Sequence, residues 1–371
     1  MAAREPSDQH VCPCDGPTAG ELAGTTIFIP DTASTWPWPR RLNQHYPEVK
    51  VESAAWFASC KAFNSARVLD AFERIHCDLM SCLGFPIASK VHLRNICDIM
   101  RILFVIDEYS DVSKPSDVRE QKNTVMDALH NPHKPRPEGE WVGGEMTRQT
   151  WERTIRDASA QSQKRFIAAF DLFLEATMRQ AIDRSKHHIH DIQGYIDVRR
   201  DTIAMKILFA LLELGLDIPD EVMSHPTIET MVLASTDMII IDNDIISYNL
   251  EQARGDASHN FITTVMRELD TDVNGAMLWV ADLHMKAQKR FLEAMAAIPK
   301  WGEPIDSQMR EYCDGLGNSV RSNYEWNFET ERYFGTKGPE IRSKKCMSLM
   351  PKDCLKDSKE TGPVHVDCAL L

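Results

Sequence analysis

Asp107 and Asp111 stand four residues apart in Asp107-Glu108-Tyr109-Ser110-Asp111, and Asn243, Ser247 and Glu251 repeat a side-chain oxygen at the same interval. Residues i and i+4 share a helix face, so each segment presents a stripe of oxygens if it is helical. The first stripe follows the apolar run Ile102-Leu103-Phe104-Val105-Ile106, which implies a buried helix that ends at a cavity mouth. The second is set among Ile239, Ile240, Ile241, Ile245 and Ile246, so its amide, hydroxyl and carboxylate need partners. Unpartnered, each would carry a desolvation cost of roughly 2–7 kcal/mol. A hard cation is one partner: Mg²⁺ takes oxygen ligands in near-octahedral geometry and keeps waters or phosphate oxygens in its shell. The plainer alternatives are a solvated helix end for the first stripe and a buried hydrogen-bond network for the second. Together the stripes say more, because facing acidic helices repel by about 3 kcal/mol per close pair at an effective dielectric of about 20. Mg²⁺ bridged by a diphosphate relieves that repulsion.

A diphosphate needs donors on its remaining side. Arg199-Arg200-Asp201-Thr202 and Arg332-Tyr333 offer guanidinium forks near apolar helical segments, with surface salt bridging as the alternative. Positioning these groups requires long helices, and apolar residues do recur at three and four positions from Val68 to Leu83 and from Val91 to Asp111. The same period marks Glu145 to Arg184, Ile192 to Leu216, Thr227 to Arg254, Met277 to Ala297 and Ile305 to Phe334. Gly84-Phe85-Pro86, Pro132 to Gly144, Asp217-Ile218-Pro219 and Trp301-Gly302-Glu303-Pro304 separate them. Lys114 to Gly144 reads as a polar, proline-bearing connection that orders over the site on closure. No alternating strand and no fixed-period repeat is visible, so the expectation is one all-α domain over residues 25–335, with flexible tails at 1–24 and 336–371.

Composition narrows the function. With 42 Lys+Arg against 55 Asp+Glu, the net charge of −13 and the absence of a basic stripe argue against nucleic-acid binding. The first residues lack the apolar core of a signal peptide and no run is long enough to span a bilayer, which makes the cytoplasm the expected address. The ten cysteines are then reduced thiols, and Cys12-Pro13-Cys14 has no second pair with which to hold zinc. The end Cys368-Ala369-Leu370-Leu371 has a CaaX-like form, so prenylation at Cys368 is a side reading, with no obligatory membrane association. A monomer or weak homodimer is the default assembly.

The order of these motifs resembles the class I terpene cyclases, especially the sesquiterpene synthases of mushroom-forming fungi, over about residues 27–335. The phrase GLGNSVRSNYEWNFETERYFG around Asn318 and Arg332 is similar to that family's C-terminal signature. The resemblance implies a single-domain helical bundle around a central apolar cavity, farnesyl diphosphate as substrate, and three Mg²⁺ with substrate bound. Asp107 would be the main ligand of the first motif and Asp111 a weaker or closure-linked one, with Asn243, Ser247 and Glu251 holding the remaining metal. Arg199 would sense the diphosphate, while Arg332, followed by Tyr333, would donate to it. Phe104 and Trp326 stand where relatives place aromatic faces that stabilise a carbocation. Two departures stand out: Leu250 replaces a basic residue found next to the metal glutamate in several relatives, and Ile203-Ala204 occupies a helix break where relatives carry small residues including Gly. The phrases FVIDEYSD and VESAAWF look like the subgroup that joins C1 to C11 of farnesyl diphosphate and gives protoilludene-type skeletons. A 1,10-closing synthase, a chain-elongating prenyltransferase and a non-catalytic prenyl-diphosphate binder are the rivals.

Overall fold

In the computed structural model, Ser89 accepts a hydrogen bond from the His92 backbone N–H and opens a helix that runs 23 residues, Lys90–Val112. Most of its apolar side chains are buried, with Val91 and Val112 at its two ends exposed, so propensity and packing agree. The structure describes residues 24–186 and 188–355. Their helices are α1 Tyr46–Cys60, α2 Ala66–Glu73, α3 Cys77–Gly84, α4 Lys90–Val112, α5 Pro115–His130, α6 Gly143–Thr154, α7 Ala160–Ser185 and α8 Ile192–Thr202. They continue with α9 Met205–Leu212, α10 Asp220–Met223, α11 Pro226–Arg254, α12 Phe261–Leu269, α13 Val273–Ala296, α14 Ile305–Glu329 and α15 Gly338–Lys344. Two short strands, β1 Thr26–Phe28 and β2 Cys346–Ser348, pair antiparallel with Ile27 opposite Met347.

The packing puts the two motif helices on different partners. α4 lies against α1, α3 and α6, and α11 against α8, α12 and α13, while α14 packs on both α3 and α11 and joins the two groups. α11 is 29 residues long because Pro226 sits in its first turn, His225 caps it through Nδ1, and only Gly255, at φ +81°, ends it. A buried ion network ties the α4 side together. Arg101, 1% exposed, forks onto Glu73 of α2 and, with Nη2 at 2.5 Å, onto Asp78 of α3, and its Nε reaches Ser53 of α1 at 3.1 Å.

The all-α architecture is as expected, with several local differences. The helix expected from Val68 breaks at Arg74–His76, where His76 adopts φ +53°. The carbonyls of Ile75 and His76 accept from the Trp326 indole, and that of Ile75 also from the Thr330 hydroxyl, so the end of α14 stabilises the break. The run from Glu145 is interrupted at Ile155–Ser159, and that from Ile192 at Ile203–Ala204. Half of the expected connection after Lys114 is α5, whose Val118, Val125, Ala128 and Leu129 are buried; Pro115 falls in its first turn, where it opens a helix rather than breaking one. Order also extends beyond residue 335 through α15 and β2 to residue 355. Strands of three residues are too short to show an alternating pattern. Among the described residues the cysteines are free thiols, with Cys82 and Cys97 sulfurs 3.9 Å apart. No described helix is long and apolar enough to cross a membrane. Cys12, Cys14 and Cys368 lie outside the described residues.

Candidate active site

The first motif forms the last turns of α4. Asp107 and Asp111 are about half exposed, at 49% and 51%, while Glu108 between them is buried. Arg332, just beyond α14, donates to Glu108 at 2.9 Å and to Asp107 at 3.2 Å. Arg184, at the end of α7, donates to the Ser110 carbonyl at 2.6 Å and stands 3.5 Å from Asp111. Crowding by surrounding protein pushes the Asp111 carboxyl up to about 8 and the charge of Asp107 adds to the shift, although half of its surface still meets solvent.

The second motif lies along the C-terminal half of α11. Asn243 accepts from Arg199 at 2.7 Å through its carbonyl oxygen and donates to the Tyr333 hydroxyl at 2.9 Å through its amide nitrogen. Ser247 and Glu251 both accept from the Asn260 amide, at 3.2 and 3.0 Å. Burial, then the charge of Asp244, pushes Glu251 up to about 7. Asp244 is itself buried and accepts from Arg199 at 3.2 Å, from the Tyr195 hydroxyl at 2.5 Å and from the Phe261 backbone at 3.1 Å, which fixes the guanidinium beside Asn243.

The two stripes meet through consecutive residues: Arg332 holds the acids of α4 and Tyr333 accepts from the amide of α11. Behind them the Phe104 and Trp326 rings are 5.7 Å apart, Trp326 and Tyr333 5.8 Å, and the Arg332 guanidinium lies 5.3 Å over Phe104. The indole N–H of Trp326 bonds two backbone carbonyls, so its ring is held by one edge and lies tilted at 51° to that of Phe104. All ten residues singled out in the sequence therefore belong to one neighbourhood.

Sequence reasoning missed Asp244, Asn260, Tyr195, Glu108 and Arg184. Asn260 carries the signal of a helix cap before an apolar run, and it does cap α12 by accepting from Ile262; the same side chain's amide nitrogen serves Ser247 and Glu251. Leu250 is buried, so no cation stands at that position. The helix break at Ile203–Ala204 is kept even without glycine, since Ala204 adopts φ +61°, at a cost of about 1–2 kcal/mol. An open cleft of about 600 Å³ lined by Arg165, Lys206, Phe209 and Leu233 meets the other half of α11 and contains none of the motif residues.

The donors suit a hard divalent cation. Two carboxylates of α4 face a carboxylate, an amide and a hydroxyl oxygen of α11, and two of the acids are driven toward their protonated forms, a tendency that a bound cation reverses. Among the described residues no three acidic, histidine or cysteine side chains form a ready cage. Mg²⁺ does not need one, because it is commonly held by one or two carboxylates with waters and substrate phosphates completing the shell.

An all-helical bundle that carries these stripes at one mouth defines the class I terpene synthase fold. Solved structures share it: an α-eudesmol synthase superposes with a TM-score of 0.73 over 78% of this chain and 97% of its own at 19% identity. A single-residue variant of a cucumene synthase gives 0.71 over 78% and 98% at 21% identity. Residues 98–290 match the family described as terpene synthase family 2, C-terminal metal binding. A Delta(6)-protoilludene synthase of Stereum hirsutum is 56% identical over 93% of this chain and 93% of its own, and one of Armillaria gallica is 51% identical over 92% and 98%. Sesquiterpene synthase 9 of Postia placenta is 45% identical over 89% and 96%. The chain belongs to terpene synthase family 2 and is a sesquiterpene synthase of the fungal type, a lyase acting on a prenyl diphosphate.

Proposed function

We propose that this enzyme ionises farnesyl diphosphate with Mg²⁺ and closes the chain between C1 and C11 to give a Delta(6)-protoilludene-type tricyclic hydrocarbon. The bridge of Arg332 and Tyr333 between the two oxygen stripes supports one site that spans both helices. The 1,11 route is supported by the 50–56% identity to four relatives named as protoilludene synthases.

In this reading Asp107 and Asp111 on one side and Asn243, Ser247 and Glu251 on the other would hold Mg²⁺, three ions with substrate present. Bound there, Mg²⁺ supplies the positive charge that makes diphosphate a leaving group. Arg199 and Arg332 donate to the diphosphate with their guanidinium forks, and the Tyr333 hydroxyl completes the contact. Asp244 and Tyr195 keep Arg199 aimed at the mouth. Asn260 holds the Ser247 and Glu251 oxygens in place. The allylic cation left behind meets the faces of Phe104 and Trp326, which stabilise it by roughly 0.5–2 kcal/mol per ring while the apolar wall keeps water out.

Gas chromatography with mass detection of volatiles from purified protein and farnesyl diphosphate tests the product. A Mg²⁺-dependent protoilludene peak that disappears with chelator is the expected result. A germacrene- or cadinene-type product would overturn the 1,11 route while leaving the class intact.

A further inference from the structure

Arg184, Arg199 and Arg332 all bring guanidinium groups to the mouth, and the function proposed above uses only the last two. Arg184 comes from the last turn of α7 and lies against the end of α4, with the Ser110 carbonyl at 2.6 Å and Asp111 at 3.5 Å. Its side chain is 37% exposed and so reachable from solvent. The guanidinium therefore stands beside the first stripe.

A carboxylate oxygen that coordinates a divalent cation no longer serves a guanidinium fork equally well. When Asp111 turns to the metal, Arg184 keeps the Ser110 carbonyl and its remaining N–H donors are open to another anion. The anion that arrives with the metal is the diphosphate, and a fork of five N–H donors fits its oxygens. We propose that Arg184 is a diphosphate-binding residue, engaged with Asp111 before the metal arrives and with the substrate's diphosphate afterwards. This rests on the function proposed above. A plainer role exists, since arginine near a helix C-terminus caps terminal carbonyls, and the Ser110 contact is such a cap.

Calorimetric titration of the full chain with inorganic diphosphate at saturating Mg²⁺ separates the two, using Arg184→Gln and Arg184→Lys with melting temperatures measured alongside. Loss of a charge-assisted hydrogen bond predicts that Arg184→Gln weakens diphosphate binding roughly 10- to 100-fold, and that Arg184→Lys, which keeps the charge without the fork, loses less. The KM for farnesyl diphosphate should rise in step. Diphosphate affinity of Arg184→Gln within about twofold of the unsubstituted protein, with or without a lower melting temperature, would leave only the cap and overturn the proposal. Absence of Mg²⁺-dependent diphosphate binding by the unsubstituted protein would overturn the underlying function together with it.

Discussion

Asp111 and Glu251 carry the electrostatic cost of the site: crowding by surrounding protein and the charge of Asp107 push the half-exposed Asp111 carboxyl up to about 8, and burial and the charge of Asp244 push Glu251 up to about 7. A proton and a divalent cation compete for the same oxygens, and the protonated acid has no charge to offer the metal. Mg²⁺ affinity should therefore fall as pH drops through 8 and then 7. The half-saturating Mg²⁺ concentration for turnover at about pH 6.5 is expected to exceed that at about pH 8.5 by at least about tenfold, and a flat profile would contradict this placement of the acids. At this scale the sequence was most legible where spacing alone carries the chemistry, as at Asp107/Asp111 and Asn243/Ser247/Glu251. It was least legible where a side chain acts across the fold. Arg184 reaches Ser110 over 74 residues, and nothing local marks it. Asp244 lies inside the second motif, but its task, holding Arg199 and the Tyr195 hydroxyl, appears only when α8 is laid on α11.

Elements were legible where apolar period and punctuation agreed. α4 and α11 kept nearly the expected bounds because their apolar residues are buried along most of their length. α5 was hidden by Pro115 and a polar composition, although its buried face has helical spacing. The strand pairing of Thr26–Phe28 with Cys346–Ser348 joins segments far apart in the chain, and each is too short to declare itself. The break between α2 and α3 depends on Trp326 and Thr330 at the end of α14, so periodicity near Val68 gave no warning of it. Arg101 is the strongest test of how the α4 side is assembled, because one buried guanidinium satisfies Glu73, Asp78 and Ser53 from three other elements. Removing it leaves Asp78, 3% exposed, without its cation. Arg101→Ala should destabilise the fold by about 3–5 kcal/mol in denaturant unfolding, and a loss below about 1 kcal/mol would show that the network is not coupled as described.

For the molecule as a whole, α4 and α11 belong to different packing groups, and the chain brings their oxygen stripes to one mouth through α14 and the two residues that follow it closely, Arg332 and Tyr333. That arrangement makes one site of two half-sites. Farnesyl diphosphate turnover by Asp107→Asn and by Asn243→Ala, each checked for an unchanged helical spectrum, tests it most directly. If both helices serve one metal-diphosphate site, either substitution alone should lower kcat by about 10²-fold or more, equivalent to about 2.7 kcal/mol of transition-state stabilisation. Near-normal turnover in either folded variant would contradict the account.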